Sequence, residues 1–255
     1  MEDAFLNTMK YTALTDVGKK RSLNEDAYIA DGKLFAVADG MGGHRAGEVA
    51  SSLALEALAF ALSKRAKDTL EEQLEEAVQR ANKTVHDKAV RDLDRRGMGT
   101  TLTVAVPKSG KLYIGHVGDS RLYRMRDGKL IQLTRDHSLV AQMVESGHLK
   151  PEEAEIHPQR SVITRAVGGD NDIKVDIIVE EMLAGDKFLL CTDGLNTMLS
   201  DEDITEVLRD KKDLEEACRE LVAWANDKGG NDNITVIMFE NSKNSPGNKN
   251  RLWRS

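Results

Sequence analysis

Cysteine, proline and aromatic residues are scarce in this chain: two Cys, four Pro and 4% aromatics among 255 residues. Cys191 and Cys218 are too few for a disulfide framework and point to reduced, cytosolic thiols. With so few aromatics, the core is expected to rest on Leu, Val, Ile and Ala. No apolar run approaches the ~20 residues that span a bilayer. Residues 1–10 lack a basic stretch followed by an apolar one. The sequence therefore reads as cytoplasmic, without membrane insertion. None of the six histidines stands in an HExxH or finger-type ligand pair, which removes the common zinc patterns. Positive charge is in deficit as well. A net charge of −7 argues against a chain that coats nucleic acid or an anionic membrane, and it suits a cation binder.

What is present is a globular composition, 40% hydrophobic and 31% charged, enough to fill one large domain over residues 1–240. Residues 241–255 are polar, contain Pro246-Gly247 and read as a disordered tail. Strands are expected at 9–17, at 27–30 and 33–38 around an Asp31-Gly32 hairpin turn, and at 100–106, 111–117, 121–126 and 129–133. Others are expected at 173–179, 187–192 and 234–239. Val49, Leu53, Ala57 and Phe60 mark a helix over 46–65. Leu70, Leu74, Ala77, Val78, Ala81 and Val85 mark a second over 68–93. Ser138 opens a short helix, Ser200 caps another, and a further one covers 213–227. Segment 138–165 is loop-rich, and an insertion of that length is usually functional. Strands grouped apart from helices, without βα alternation, favour α+β: two antiparallel sheets packed together with helices on the outer faces.

One local pattern recurs. The apolar run Leu34–Ala38 ends in Asp39-Gly40-Met41-Gly42-Gly43-His44, and Phe188–Thr192 ends in Asp193-Gly194. Leu112–Val117 ends in Gly118-Asp119, while Gly230-Asn231-Asp232-Asn233 leads into the last apolar strand. In antiparallel sheets, strand ends and neighbouring strand starts meet at one edge. Asp39, Asp119, Asp193 and Asp232 can therefore converge. Carboxylates that close repel one another unless hard cations neutralise them, and oxygen-only donors select Mg²⁺ or Mn²⁺ over Zn²⁺.

Arg21-x-x-Asn24-Glu25-Asp26, Asp39-Gly40-Met41-Gly42-Gly43-His44, Gly99-Thr100-Thr101, Gly118-Asp119-Ser120-Arg121, Asp193-Gly194 and Gly230-Asn231-Asp232-Asn233 follow in order. Together, over residues 9–240, they resemble the metal-dependent serine/threonine protein phosphatases of the PPM (type-2C) family in its compact bacterial form. The resemblance implies an αββα sandwich with 138–165 as a flap, and Mn²⁺ or Mg²⁺ as two core ions plus a weaker third. It implies that Asp39 bridges two ions, that the Gly40 carbonyl binds the second, and that Asp193 and Asp232 hold the first. Asp119 with Asp193 would form the third site, and Glu25 would act through metal-bound water. Paired cations would acidify a bridging water for in-line attack on phosphorus, without a covalent phosphoenzyme. Arg21 would clamp the phosphate, and His44 would protonate the leaving alkoxide. Asp136, His137 and Cys191 read as structural, and Thr192 keeps the hydroxyl of the serine usual before Asp193. The implied partners are phosphorylated proteins, including an opposing Ser/Thr kinase, met by a monomer.

Two other readings stand beside it. Asp201-Glu202-Asp203-Ile204-Thr205 fits the Asp-x-Asp-x-Thr pattern of haloacid-dehalogenase-type phosphatases, although no hydrophobic strand precedes it directly. The other is a catalytically inactive, metal-dependent module that binds phosphoproteins.

Overall fold

In chain order the strands and helices begin with β1 (Lys10–Asp16), β2 (Asp26–Ala30), β3 (Phe35–Met41), α1 (Ala46–Leu62) and α2 (Leu70–Arg91). β4 (Gly99–Thr100), β5 (Leu102–Lys108), β6 (Lys111–Val117), β7 (Arg121–Arg126) and β8 (Lys129–Gln132) follow. Next come α3 (Leu139–Glu145), α4 (Pro151–Ala154), β9 (Asp176–Glu181) and β10 (Lys187–Cys191). The order closes with α5 (Asp193–Asn196), α6 (Asp201–Asp210), α7 (Leu214–Asp227) and β11 (Ile234–Glu240). The computed structural model describes residues 9–42, 46–64, 68–154 and 156–241.

The strands form two antiparallel sheets, one ordered β1-β11-β10-β7-β8 and the other β2-β3-β5-β6-β9, with β4 on the end of β3. Period-two alternation explains how the layers stack. Along β3, Phe35 and Val37 face the other sheet, while Ala36 and Ala38 face α1 and α2. Along β10, Phe188 and Leu190 face inward, while Leu189 and Cys191 face α6 and α7. Strands buried on both faces are continuously apolar, which is what 34–38 and 188–191 display. The α+β expectation of two sheets covered by helices is what the chain forms. Among the described residues, no helix is long and apolar enough to cross a membrane.

The core differs from expectation in one layer. Helix–sheet contacts are mainly aliphatic, with Tyr123 buried in the layer of α6 and α7, but three of the five phenylalanines meet between the sheets. Phe35 stacks on Phe239 with centroids 4.1 Å apart, and Phe188 on Phe239 at 5.1 Å. Each fully buried ring contributes about 2–3 kcal/mol.

Other differences have local causes. β3 does not stop at Ala38; it carries Asp39 and Gly40 on to Met41, paired with Gly99 and Thr100. Gly40 suits a strand here because a Cβ would fall 2.1 Å from the Gly47 carbonyl oxygen of α1. The β2–β3 connection is a four-residue turn rather than a two-residue one, because Asp31 Oδ1 accepts from the Lys33 and Leu34 N–H groups. β9 starts at Asp176 instead of 173: Ile173 and Val175 are buried against the α1–α2 layer before ladder pairing begins. α2 starts at Leu70, where Thr69 and Glu72 form a capping box. The tail expected beyond 241 lies outside the described residues.

Candidate metal centre

The β10–β11 register, Cys191 opposite Val236, sets Asp193 beyond the end of one strand and Asp232 before the start of its neighbour. They therefore share an edge. Asp193-Gly194 is not a simple turn but opens α5, and a Cβ on Gly194 would fall 2.0 Å from the Asn233 carbonyl oxygen. Glycine is what lets the two segments touch. In the other sheet, Asp39 stands directly opposite Asp26. Asp119 lies in the turn that passes from β6 to β7, hence from one sheet to the other.

Small polar side chains hold these carboxylates in place. Thr101 Oγ1 accepts from the Asp39 N–H at 2.9 Å and pairs with Ser120 Oγ at 2.8 Å. The Asp39 carbonyl accepts from Thr101 N–H and Thr100 Oγ1. That interruption of the ladder is why 99–108 forms two strands, β4 and β5. Asn233 anchors the loop that carries Arg21 and Glu25. Its Oδ1 accepts from Glu25 N–H, and its Nδ2 donates to the Val17 and Leu23 carbonyls. Thr192 and Thr235 donate to Asp26 Oδ2 at 2.8 and 2.6 Å. The hydroxyl that Thr192 shares with serine is thus in use.

The electrostatics are one-sided. Burial first, then the Asp193, Asp26, Asp119 and Asp232 carboxylates, hold Asp39 well above the usual range. Burial and then Asp193 push Asp119 up to about 8. Burial raises Asp26 to about 7 against its two threonine bonds, and burial plus Asp232 raise Asp193 to about 6. A side-chain interaction with Asp39 works against that rise at Asp193. Arg21 Nη2 donates to Asp232 Oδ2 at 2.7 Å. The Arg121 guanidinium is committed to Asp136 through Nε and Nη2.

Oxygen donors fit a hard cation here on two observations. Asp26 Oδ1, Asp119 Oδ1 and Asp193 Oδ1 are buried without a hydrogen-bond partner. A Cβ placed on Gly47 would fall 2.6 Å from Glu25 Oε1 and 2.7 Å from the Gly40 carbonyl oxygen, so both oxygens border the space that glycine leaves open. Buried, unpaired oxygens of like charge cost several kcal/mol or more unless a cation or proton neutralises them. Among the described residues, no three carboxylate, imidazole or thiol groups close around a single point. The carboxylates lie close enough to raise one another's pKa, and Arg21 is bonded to one member, Asp232. His44 lies outside the described residues.

Asp26, Thr101 and Asn233 stand inside the sequence motifs with nothing there that assigns them a role, and Thr235 stands outside them. Register counting across the β2–β3 hairpin finds Asp26, since it pairs residues whose numbers sum as 30 and 35 do. Asp119 and Asp193 also line a cleft of about 850 Å³. Val140, Ala141 and Ile156 of the 138–165 segment line it as well, as do Met198 and Leu199. The Asp201–Thr205 motif opens α6: Ser200 and Asp203 form a capping box, so it is not a strand-end nucleophile site.

The chain belongs to the protein phosphatase 2C family, whose profile covers residues 18–238. It is 43% identical over 232 residues to serine/threonine protein phosphatase PstP of Mycobacterium tuberculosis, covering 91% of this chain and 45% of PstP. The chain thus spans about half the length of that relative. Serine/threonine phosphatase stp of Listeria monocytogenes is 38% identical over 235 residues, 89% of this chain and 93% of stp. A crystal structure of the M. tuberculosis PstP phosphatase superposes with a TM-score of 0.86 at 41% identity, over 91% of this chain and 98% of that one. A structure of the PstP catalytic domain in complex with two manganese ions superposes with a TM-score of 0.83 at 39% identity, over 91% and 97%.

Proposed function

We propose that this chain hydrolyses phosphoserine and phosphothreonine esters of proteins, using Mn²⁺ or Mg²⁺. The observation that carries the reading is the approach of Asp39, Asp119, Asp193 and Asp232 from both sheets, with buried, unpartnered oxygens on Asp119 and Asp193 and too little countercharge. Such a cluster repels a phosphate dianion unless cations stand between them. Asp39, the Gly40 carbonyl, Asp193 and Asp232 would hold two ions, and Asp119 with Asp193 a weaker third. When bound, such ions acidify water and neutralise charge developing on the phosphoryl oxygens.

The chain's own residues do the rest. Arg21 is exposed and uses Nη2 for Asp232, leaving other guanidinium donors to orient the ester. Thr101 and Thr192 keep Asp39 and Asp26 from drifting apart under mutual repulsion. Attack on phosphorus is direct and in line. Cys191 and Cys218 are buried, with burial pushing both thiols up to about 12, so neither supplies a thiolate nucleophile at neutral pH. His44 is the proposed proton donor to the leaving alkoxide. The cleft beside Asp119 and Asp193 would take the protein chain flanking the phosphoresidue, with 138–165 as its flap. The substrates are cytoplasmic phosphoproteins, including an opposing kinase.

The test is release of phosphate from a phosphothreonine peptide and from p-nitrophenyl phosphate with Mn²⁺ present. Turnover abolished by chelation and restored by Mn²⁺ is expected. Tight binding of the phosphopeptide without turnover would instead make the chain a binding module.

A further inference from the structure

The turn carrying Asp119 joins β6 of one sheet to β7 of the other, so its position depends on whatever ties the sheets together there. Ser120, bonded to Thr101 and Thr103, supplies one attachment, and Gly118 supplies the other. Its carbonyl accepts from the His137 backbone N–H at 2.8 Å, and its own N–H donates to His137 Nδ1 at 3.0 Å. One residue therefore takes both backbone polar groups preceding Asp119. Acceptance at Nδ1 leaves the imidazole proton on Nε2, which donates to Asp176 Oδ2 at 3.1 Å. Arg165 Nη1 donates to the other oxygen, Asp176 Oδ1, at 2.8 Å and to the Lys174 carbonyl at 3.2 Å. It also lies 2.8 Å from Nε2, a donor–donor contact in this tautomer.

The same residue ties the two ends of segment 138–165 together. The His137 carbonyl accepts from Thr164 N–H at 2.8 Å, Leu139 N–H donates to the Val162 carbonyl at 2.8 Å, and Ser138 bridges Ile163. His116 backs the ring with centroids 4.7 Å apart, Nδ1 on the Thr103 hydroxyl and Nε2 on the Arg135 carbonyl. His137 is only 6% exposed and His116 not at all. A buried imidazole bonded at both nitrogens cannot turn without breaking a bond at one end.

We propose that His137, oriented by Asp176, is a positioning residue for Asp119. It fixes that carboxylate for the weaker cation and gives the flap base and the cation site one shared anchor. This rests on the metal-centre reading above. Any coupling between an ion at Asp119 and the base of the flap then runs through His137.

Two half-replacements separate the ends of the ring. His137→Asn keeps an acceptor facing Gly118 N–H but loses Asp176. His137→Gln reaches Asp176 but leaves Gly118 N–H unpaired. Mn²⁺ binding to the full chain is followed by the EPR signal of the free ion. Tryptic cleavage after Arg160, in the flap, is followed with and without Mn²⁺. His137→Gln is expected to weaken only the weakest Mn²⁺ site, about tenfold, while His137→Asn stays within about threefold of the unsubstituted chain. Mn²⁺ should slow cleavage in the unsubstituted chain and His137→Asn, but not in His137→Gln. Equal weakening by both variants, the reverse order, or a loss spread over all ions would overturn the proposal. So would identical Mn²⁺ protection in all three proteins. If the unsubstituted chain binds no Mn²⁺, the metal centre itself is wrong, and the positioning role falls with it.

Discussion

Two groups of acidic residues border the same cleft, and their circumstances are opposite. Asp119 and Asp193 each keep a buried oxygen without a partner, and they, together with Asp39, are held above the ordinary carboxylate range by burial and by one another, with Asp232 nearby bonded to Arg21. Asp201, Glu202 and Asp203 occupy the first turn of α6. There the helix dipole favours negative charge. Asp203 accepts from Ser200 N–H and from Lys228 Nζ, with Lys228 first among the causes that hold its carboxyl below the usual range. Both groups match a phosphatase-like pattern in sequence. What separates them is whether the protein itself supplies partners. Satisfied carboxylates are doing structural work; carboxylates left short of partners at a sheet edge are set for a ligand.

The strongest way to break this comparison is to remove one charge from the unsatisfied group. Asp39→Asn and Asp193→Asn are each expected to lower kcat for p-nitrophenyl phosphate on the order of 10³-fold or more. The fold should persist by circular dichroism. Without added metal, either variant should be no less stable at neutral pH than the parent, because a mutually repelling carboxylate has gone. Full activity in both would sink the metal-centre argument.

Next in size is the scaffold that holds the cluster. Thr101→Val leaves the Asp39 N–H without its acceptor and Ser120 without its partner. A loss of about 2 kcal/mol in urea unfolding is expected, with Thr101→Ser recovering most of it. If Thr101→Val unfolds at the same urea concentration as the parent, Thr101 does not hold Asp39.

The pH dependence of the metal-free protein sharpens the same contrast. Asp26 and Asp119 keep protons to about 7 and 8 when folded, whereas their ordinary value is 3.8. The folded state therefore binds more protons than the unfolded one, and stability falls as pH rises through that window. His116, lowered to about 4 mainly by burial, works in the opposite sense below its ordinary 6.5, so the carboxylates are read cleanly above it. Between pH 6.5 and 8.5 the chelated protein should lose about 1–2 kcal/mol, a few degrees in melting temperature. Saturating Mn²⁺ should abolish the decline. A chelated protein whose melting temperature stays flat or rises would show that the cluster is not frustrated.

Much of this was legible in the residues. Alternation and continuous apolar runs located the strands, and recurrence of Asp-Gly at strand ends located Asp39 and Asp193. What was not legible depended on contacts between distant segments. Glycine in a strand usually signals a break, so β3 was expected to end at Ala38. Only the approach of Gly47 explains why the strand carries Asp39 and Gly40 onward. Thr101 looks like any strand threonine until the Asp39 N–H is seen to need an acceptor. His137 read as structural, and nothing in its spacing reveals that both polar groups of Gly118 end on it. Three phenylalanines meeting between the sheets likewise follow from register, not from composition.

The smallest expected effect tests the satisfied group. Asp203→Ala removes one half of the α6 capping box and leaves Lys228 without its carboxylate. Loss of such a cap costs about 1 kcal/mol, and the partly exposed ion pair adds little to it. The melting temperature should fall by about 2–4 °C, while kcat/KM for p-nitrophenyl phosphate stays at the parent value. The normal acid-side contribution of Asp203 should vanish with it: a carboxyl held low when folded stabilises above its ordinary pKa and is lost as pH falls through the folded one. A stability loss without a rate loss places Asp203 in the helix cap alone. A collapse of turnover, with phosphate trapped on Asp201 or Asp203 of the unsubstituted chain, would instead make this turn the nucleophile and reverse the roles of the two acidic groups.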